Sequence, residues 1–168
     1  MNEINPDDAF LLALLMDANQ SANGWQEFLE TFRQHFNLHS CHLYIENRKA
    51  RSPYFHYWAG IEDSEISRQE NIEKNFIADW ACLGLSKDNP NAWFASNLIS
   101  YYEQTKTIPD FAQYGIEHIG GSTVFTDEIW SCTLIHTRSA SQGGYLQSEI
   151  DRFLALSIYI EKAVRLRI

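Results

Sequence analysis

The residues of this chain best suited to chemistry are aromatic rings and imidazoles. Tyr54, His56 and Trp58 alternate with Phe55, Tyr57 and Ala59. That period of two sets the first three on one face of a strand and the others on the opposite face. Rings on both faces mean that both are at least partly covered. Such a surface serves either as plain core or as a wall for an apolar molecule, with His56 as a polar handle that titrates near neutral pH. His35, His39 and His42 come near metal-ligand spacing, but the helix that would stack the first two ends near Asn37 and no carboxylate joins them, so ordinary histidines are expected. Cys41, Cys82 and Cys132 stand far apart, which makes reduced thiols the expectation. Cys82, near a helix end, could be cast as a sulfoxide-reducing nucleophile. That chemistry needs an activated thiolate and a second thiol to resolve it, and the spacing supports neither. No Gly-rich phosphate loop, nucleophile elbow or recognisable carboxylate pair is present, and Gly120–Gly121 reads as a strand bulge or a close backbone approach. Neither an enzyme nor a cofactor is expected.

Composition bounds the rest. At 168 residues and 45% hydrophobic, residues 1–168 make one domain able to build a core. A net charge of -9 argues against this segment itself gripping a nucleic acid. Its one basic cluster, Lys162, Arg165 and Arg167, is terminal: either cations favoured by a helix C-terminus or the lead into a further segment. The apolar run Ala9–Met16 is too short to span a bilayer and follows Asp7 and Asp8, so no membrane association is expected and the location is read as cytoplasmic.

The elements follow from local signals. Asn5, Pro6, Asp7 and Asp8 open a helix over Phe10 to about Ala18. That helix is apolar almost all round and so must be buried on both sides, by the domain or by a second subunit. Trp25, Phe28, Leu29, Phe32 and Phe36 form the inner stripe of a second helix. Strands follow at Cys41–Glu46 and Tyr54–Ala59, a helical period at 64–83, a short strand at Ala92–Ser96, and short helices near Tyr101–Tyr102 and Pro109–Tyr114. The last third reads as a hairpin, Ile119–Phe125 and Ile129–Arg138, then a Gly143–Gly144 loop and a long helix to the last residue. Leu146, Ile150, Phe153, Ile160 and Val164 form one stripe of that helix. Leu156, Ala163, Leu166, Ile158 and Tyr159 lie off it, which invites a partner. The order implies an α+β fold of GAF/PAS-like layout: a central, mainly antiparallel five-stranded sheet with helices packed on its faces and a long C-terminal helix.

The C-terminal third resembles the end of the N-terminal sensor domain of LuxR-type transcriptional regulators. There a strand ending in Arg is followed by a short loop, a Gly-aromatic pair, a Glu and a closing helix. The matching residues are Trp130, Leu134 and Arg138, then Gly144 and Tyr145, then Glu149, then Leu156, Ile160, Lys162, Ala163 and Leu166. Asp110, Phe111 and Gly115, and Trp25 with Phe28 and Leu29, are similar to earlier parts of the family pattern. The chain departs at Ile158 and Tyr159, where Pro and His are usual, and at Asp79, which Trp80 follows where quorum-sensing members tend to carry Pro.

The resemblance implies a small-molecule ligand held between one face of the sheet and the helices over it, in a mostly apolar cavity. Tyr54, His56, Trp58, Trp80 and Trp93 are the expected ligand-binding wall. Thr123, Ser131 and Thr133 could add hydroxyls or be ordinary strand residues. The resemblance also implies a DNA-binding helix-turn-helix module after Ile168, through which DNA would be bound. A homodimer through the first and last helices is the expected assembly. The alternative is a ligand-free interaction module, acting through a full-length relative.

Overall fold

The computed structural model describes residues 4–50, 52–60, 93–97 and 115–168. The chain enters through a 3-10 turn, Pro6–Asp8, whose capping Asn5 side chain accepts the Asp7 amide at 2.9 Å. Helix α1, Ala9–Asp17, buries Leu11 and Leu15 but leaves Phe10 and Met16 at 45% and 77% exposure. Among the described residues, therefore, its all-round apolar surface is covered on one side. Helix α2, Gly24–His35, buries Trp25, Phe28, Leu29 and Phe32 on the stripe read from the sequence. A β-carbon at Gly24 would lie 2.5 Å from the Ala18 carbonyl oxygen, so glycine is what lets α2 start so close to the end of α1. Asn37, at φ 49°, ends the helical path in the left-handed conformation.

Among the described residues the strands are β1, Ser40–Asn47; β2, Ser52–Ala59; β3, Trp93–Asn97; β4, Ile116–Thr126; and β5, Trp130–Ser139. They form one sheet in the order β2-β1-β5-β4-β3, every neighbouring pair antiparallel. After a second 3-10 turn, Ala140–Gln142, helix α3 runs from Gln147 to Arg165. The described helices lie on one side of the sheet. Leu11, Phe28, Phe32, Phe153, Leu156 and Ile160 pack there with Cys41, Leu43, Ile45, Cys132 and Leu134 into the main core.

Two expectations need correcting. The set off the first stripe of the last helix is divided: Leu156 and Ala163 are buried with Phe153, Ile160 and Val164, whereas Ile158, Tyr159 and, past the helix end, Leu166 are exposed, as is Leu146 at the N-cap. A helix face on a sheet is wider than one row of side chains, so Leu156 and Ala163 share it. Gly120 and Gly121 are not a bulge either. They pair in regular register with His136 and Ile135 of β5 and with Ala95 and Phe94 of β3, and the irregularities in β4 fall at Ile116/His118 and Thr123/Phe125.

The motif of the C-terminal third is one hydrogen-bonded unit. Buried Arg138 donates to both carboxylate oxygens of Glu149, at 2.6 and 3.0 Å, and to the carbonyls of Phe36 and Gly144 at 2.9 and 3.0 Å. Glu149 also accepts the Leu146 amide at 2.9 Å, which caps α3. The Arg138 guanidinium lies 4.8 Å from the Tyr145 ring centre. The Tyr145 hydroxyl donates to the His136 carbonyl at 3.0 Å. These contacts join the ends of β5 and α2 to the start of α3.

Candidate functional site

The sheet face turned away from the helices carries the residues that could meet a ligand. Register builds it row by row. Trp58 of β2 stands opposite His42 of β1, itself opposite Ile135 of β5; His56 stands opposite Tyr44, itself opposite Thr133, which pairs with Thr123 of β4. The next row joins Ser40, Thr137 and Ile119. Ile119, Thr123, Thr133, Ile135 and Thr137 are buried, while His42, Tyr44, His56 and Trp58 are half-buried. Aromatic and β-branched pairs across strands hold such a surface in shape.

Its rings touch. His56 meets Trp58 edge-on at 4.4 Å between centres and Tyr44 edge-on at 5.6 Å, and His42 lies 5.7 Å away at a shallow angle. A polar track runs beside them: the Ser40 hydroxyl is 2.7 Å from that of Thr137 and 3.3 Å from Nε2 of His42. Burial, helped by the neighbouring His56, pushes the pKa of His42 down to about 3, so the ring is neutral at physiological pH and can both donate and accept a hydrogen bond. Among the described residues of these rows there is no Lys or Arg. Chemically the face offers ring surfaces, small hydroxyls and neutral imidazole, a set suited to an apolar molecule with an uncharged polar group.

Of the expected wall, the structure brings His56 and Trp58 together. Tyr54 leaves them: the register shifts between Ile45 and Glu46, with Phe55 paired to Ile45 and Pro53 to Glu46. Tyr54 is thus the extra residue of a bulge, which breaks the alternation assumed from the sequence. Its ring, 47% exposed, packs 4.8 Å from Trp130 and 4.3 Å from Phe55. Trp93 opens β3 and pairs with Ser122. Trp80, like Cys82 and the helical period at 64–83, lies outside the described residues.

His42 and Tyr44 complete the cluster although neither was singled out as a wall residue. Their alternation in β1 is visible in the sequence, but the cross-strand register that sets them beside His56 is not. Three other groups stand elsewhere. His35 contacts the buried Asp8 carboxylate at 2.7 Å within the helical layer, away from His42. Cys41 and Cys132 are wholly buried on the helix side, and burial raises both thiols far above their usual range, leaving them unreactive. The terminal cations face the protein: Lys162 lies over Tyr159, Arg165 pairs with Glu161 and Asp127 at 2.8 and 2.9 Å, and Arg167 lies over Phe55.

No sequence-family model matches the chain, and no curated protein matches it significantly in sequence. Solved structures do match in three dimensions. The N-acylhomoserine lactone dependent LuxR family transcription factor CepR2 from Burkholderia cenocepacia superimposes with a TM-score of 0.65 at 15% identity, over 96% of this chain and 94% of that one. SdiA of Escherichia coli gives 0.64 at 15% identity, over 95% of this chain and 68% of that one. The ligand-binding domain of VqsR from Pseudomonas aeruginosa gives 0.60 at 16%, over 96% and 98%. A GAF domain from an Acinetobacter phosphoenolpyruvate-protein phosphotransferase shares the fold at 0.55 and 8%. Over nearly the whole chain, the antiparallel sheet with helices on one side of it is thus similar in fold to these LuxR-type regulators, the ligand-binding domain of VqsR among them, and to a GAF domain.

Proposed function

We propose that this chain is the ligand-sensing and dimerisation domain of a LuxR-type transcriptional regulator. It binds a small, largely apolar molecule on the sheet face that carries His56 and Trp58, and it controls a DNA-binding module joined beyond Ile168. The observation that carries this reading is the cluster of His42, Tyr44, His56 and Trp58 beside buried Thr123, Thr133 and Ile135. Trp80 and Trp93 remain proposed members of the wall; Tyr54, carried away by the bulge, does not. The likeness to CepR2, which is N-acylhomoserine lactone dependent, and to SdiA, solved in complex with octanoyl-rac-glycerol, supports the ligand class. Regulation then requires only that the ligand bind one conformation of the domain better than another. The domain is no enzyme in this reading, and it works in the cytoplasm.

Octanoyl-rac-glycerol is the first probe. At a hundredfold excess over Kd, it raises Tm by roughly 5–10 °C in a domain of this size. His56→Ala and Trp58→Ala variants that remain folded lose most of that shift. A Tm unmoved at every soluble concentration of octanoyl-rac-glycerol and of N-octanoyl-homoserine lactone counts against the reading.

One observation favours a second reading, a ligand-free interaction module. Phe10 and Met16 on α1 and Ile158, Tyr159 and Leu166 on or just past α3 are exposed, on the two helices proposed to meet a second copy. Sedimentation velocity decides it. A species that dimerises at micromolar concentration and binds neither probe supports the module; a monomer removes it.

A further inference from the structure

Strand β2 belongs to the proposed site on one face and to the end of the chain on the other. His56 and Trp58 stand on the site face. Between them and beside them, Phe55 and Tyr57 face the helices, where the Arg167 guanidinium lies 4.3 Å from the Phe55 ring centre and 5.9 Å from that of Tyr57. Nε of Arg167 is buried with no hydrogen-bond partner among the described residues, and these rings hold the side chain there. A second connection leaves β2 from Tyr57 and reaches the helix at another residue. Tyr57 stacks on Trp25 at 6.1 Å, Trp25 Nε1 donates to the Asn19 side chain at 2.8 Å, and Asn19 Nδ2 donates to the Ala163 carbonyl at 2.7 Å. That carbonyl is in the last turn of α3, where helix geometry leaves it without an intrahelical partner. Gln26 of α2 also donates to the Trp58 carbonyl at 2.6 Å.

The strand is also placed to move. It ends the sheet, pairing with β1 along one side, and carries the bulge at Tyr54, whereas β1, β5 and β4 are each held between two neighbours. Residues that alternate on one backbone cannot shift independently. A ligand that pushes or draws in His56 and Trp58 therefore displaces Phe55 and Tyr57 as well.

We infer that β2 is the transmitting element of the domain: occupancy of the site face resets the last turn of α3 through Phe55–Arg167 and through Tyr57–Trp25–Asn19–Ala163. This rests on the ligand reading of that face. It adds the route by which binding reaches the residues from which any following segment departs. A coupling of this kind is reciprocal, so changes at the last turn must also be felt at the site.

The test reads hydrogen exchange at the amides of Leu166, Arg167 and Ile168, which bond the Lys162 and Val164 carbonyls, in the full chain. The first arm needs no ligand. Trp58→Ala, or His56→Gln if the former does not fold, changes exchange at these three amides at least threefold, and Arg167→Gln moves the His56 ring resonances. Unchanged exchange in a folded site variant overturns the inference. The second arm adds octanoyl-rac-glycerol. Wild type gains protection both in β2 and at residues 166–168, and the Asn19→Ala, Arg167→Gln double variant gains it in β2 alone. Protection in β2 with no change at 166–168 in wild type overturns the coupling. Absence of any protection in β2 speaks against the ligand reading for this probe, and the first arm still decides the coupling.

Discussion

At the scale of single residues, burial decides which groups are charged. His42, held down to about 3 by burial and then by His56, and His136, held down to about 3 by burial and then by Arg138 and His42, are neutral in the folded protein. The unfolded chain protonates both near 6.5. Their contribution to stability is therefore complete above about pH 6.5 and is lost as pH falls toward 3. Each adds a slope of up to ~1.4 kcal/mol per pH unit between roughly pH 6 and 4. Urea unfolding at several pH values checks this, and His42→Gln removes about half of the summed slope. Arg138 gives the second prediction. Its side chain is 5% exposed and bridges Glu149 and two carbonyls, so Arg138→Ala removes the cation from the half-buried Glu149 carboxylate and costs about 2 kcal/mol in urea midpoint experiments. Changing Arg138 to Met and Glu149 to Leu together costs less than the single change, because no charge is left unpaired.

At the scale of elements, much of the architecture was legible and its reasons are local. The period of 3.6 in Trp25–Phe36 named the buried face of α2, and Asn5–Pro6–Asp7–Asp8 named the start of the N-terminal helical segment. The run of Arg138, Gly144, Tyr145 and Glu149 named the closure before α3. What could not be read was register. Tyr54 looks equivalent to His56 and Trp58 in sequence, and only the pairing of β2 with β1 reveals the inserted residue that takes it to Trp130. Of the two readings of Gly120–Gly121, the bulge fails for a related reason: a glycine doublet in a regular strand and one in a bulge have the same sequence signature. Gly24 makes a cleaner test of an element boundary. Gly24→Ala drives a β-carbon into the Ala18 backbone, separates α1 from α2, and lowers stability by roughly 1–3 kcal/mol in thermal unfolding.

At the scale of the whole molecule, carboxylates tie distant parts of the chain together. Asp8, 1% exposed, receives Arg152 of α3 through two nitrogens, one at 2.9 Å, and His35 of α2 at 2.7 Å. Burial alone would raise its pKa, but these partners outweigh it and hold the carboxyl below its ordinary value. Glu149 is likewise lowered, its burial outweighed by Arg138 and the Leu146 amide. Depressed carboxyls stabilise the fold above the ordinary range near pH 4 and cease to do so as pH falls through their folded values. An acid limb of unfolding below about pH 4 is expected, and Asp8→Asn makes it shallower in a circular-dichroism titration. The same scale explains why the site was only half visible in the sequence. Its proposed walls come from β1, β2, β4 and β5, whose members are up to 97 residues apart, and only the order β2-β1-β5-β4 assembles them.

That order also leaves β2 at the end of the sheet, and the sequence of β2 is dangerous there. Tyr54 to Ala59 is six residues of high strand propensity with no Lys, Arg, Asp or Glu among them, the composition from which aggregates nucleate when such a strand recruits another chain. Two features described above oppose this. Pro53 has no amide to offer a newcomer, and the bulge at Tyr54 twists the strand out of the flat register that stacking demands. The edge of an aromatic strand proposed to meet small molecules on its face is thereby kept from pairing with the same strand of another copy.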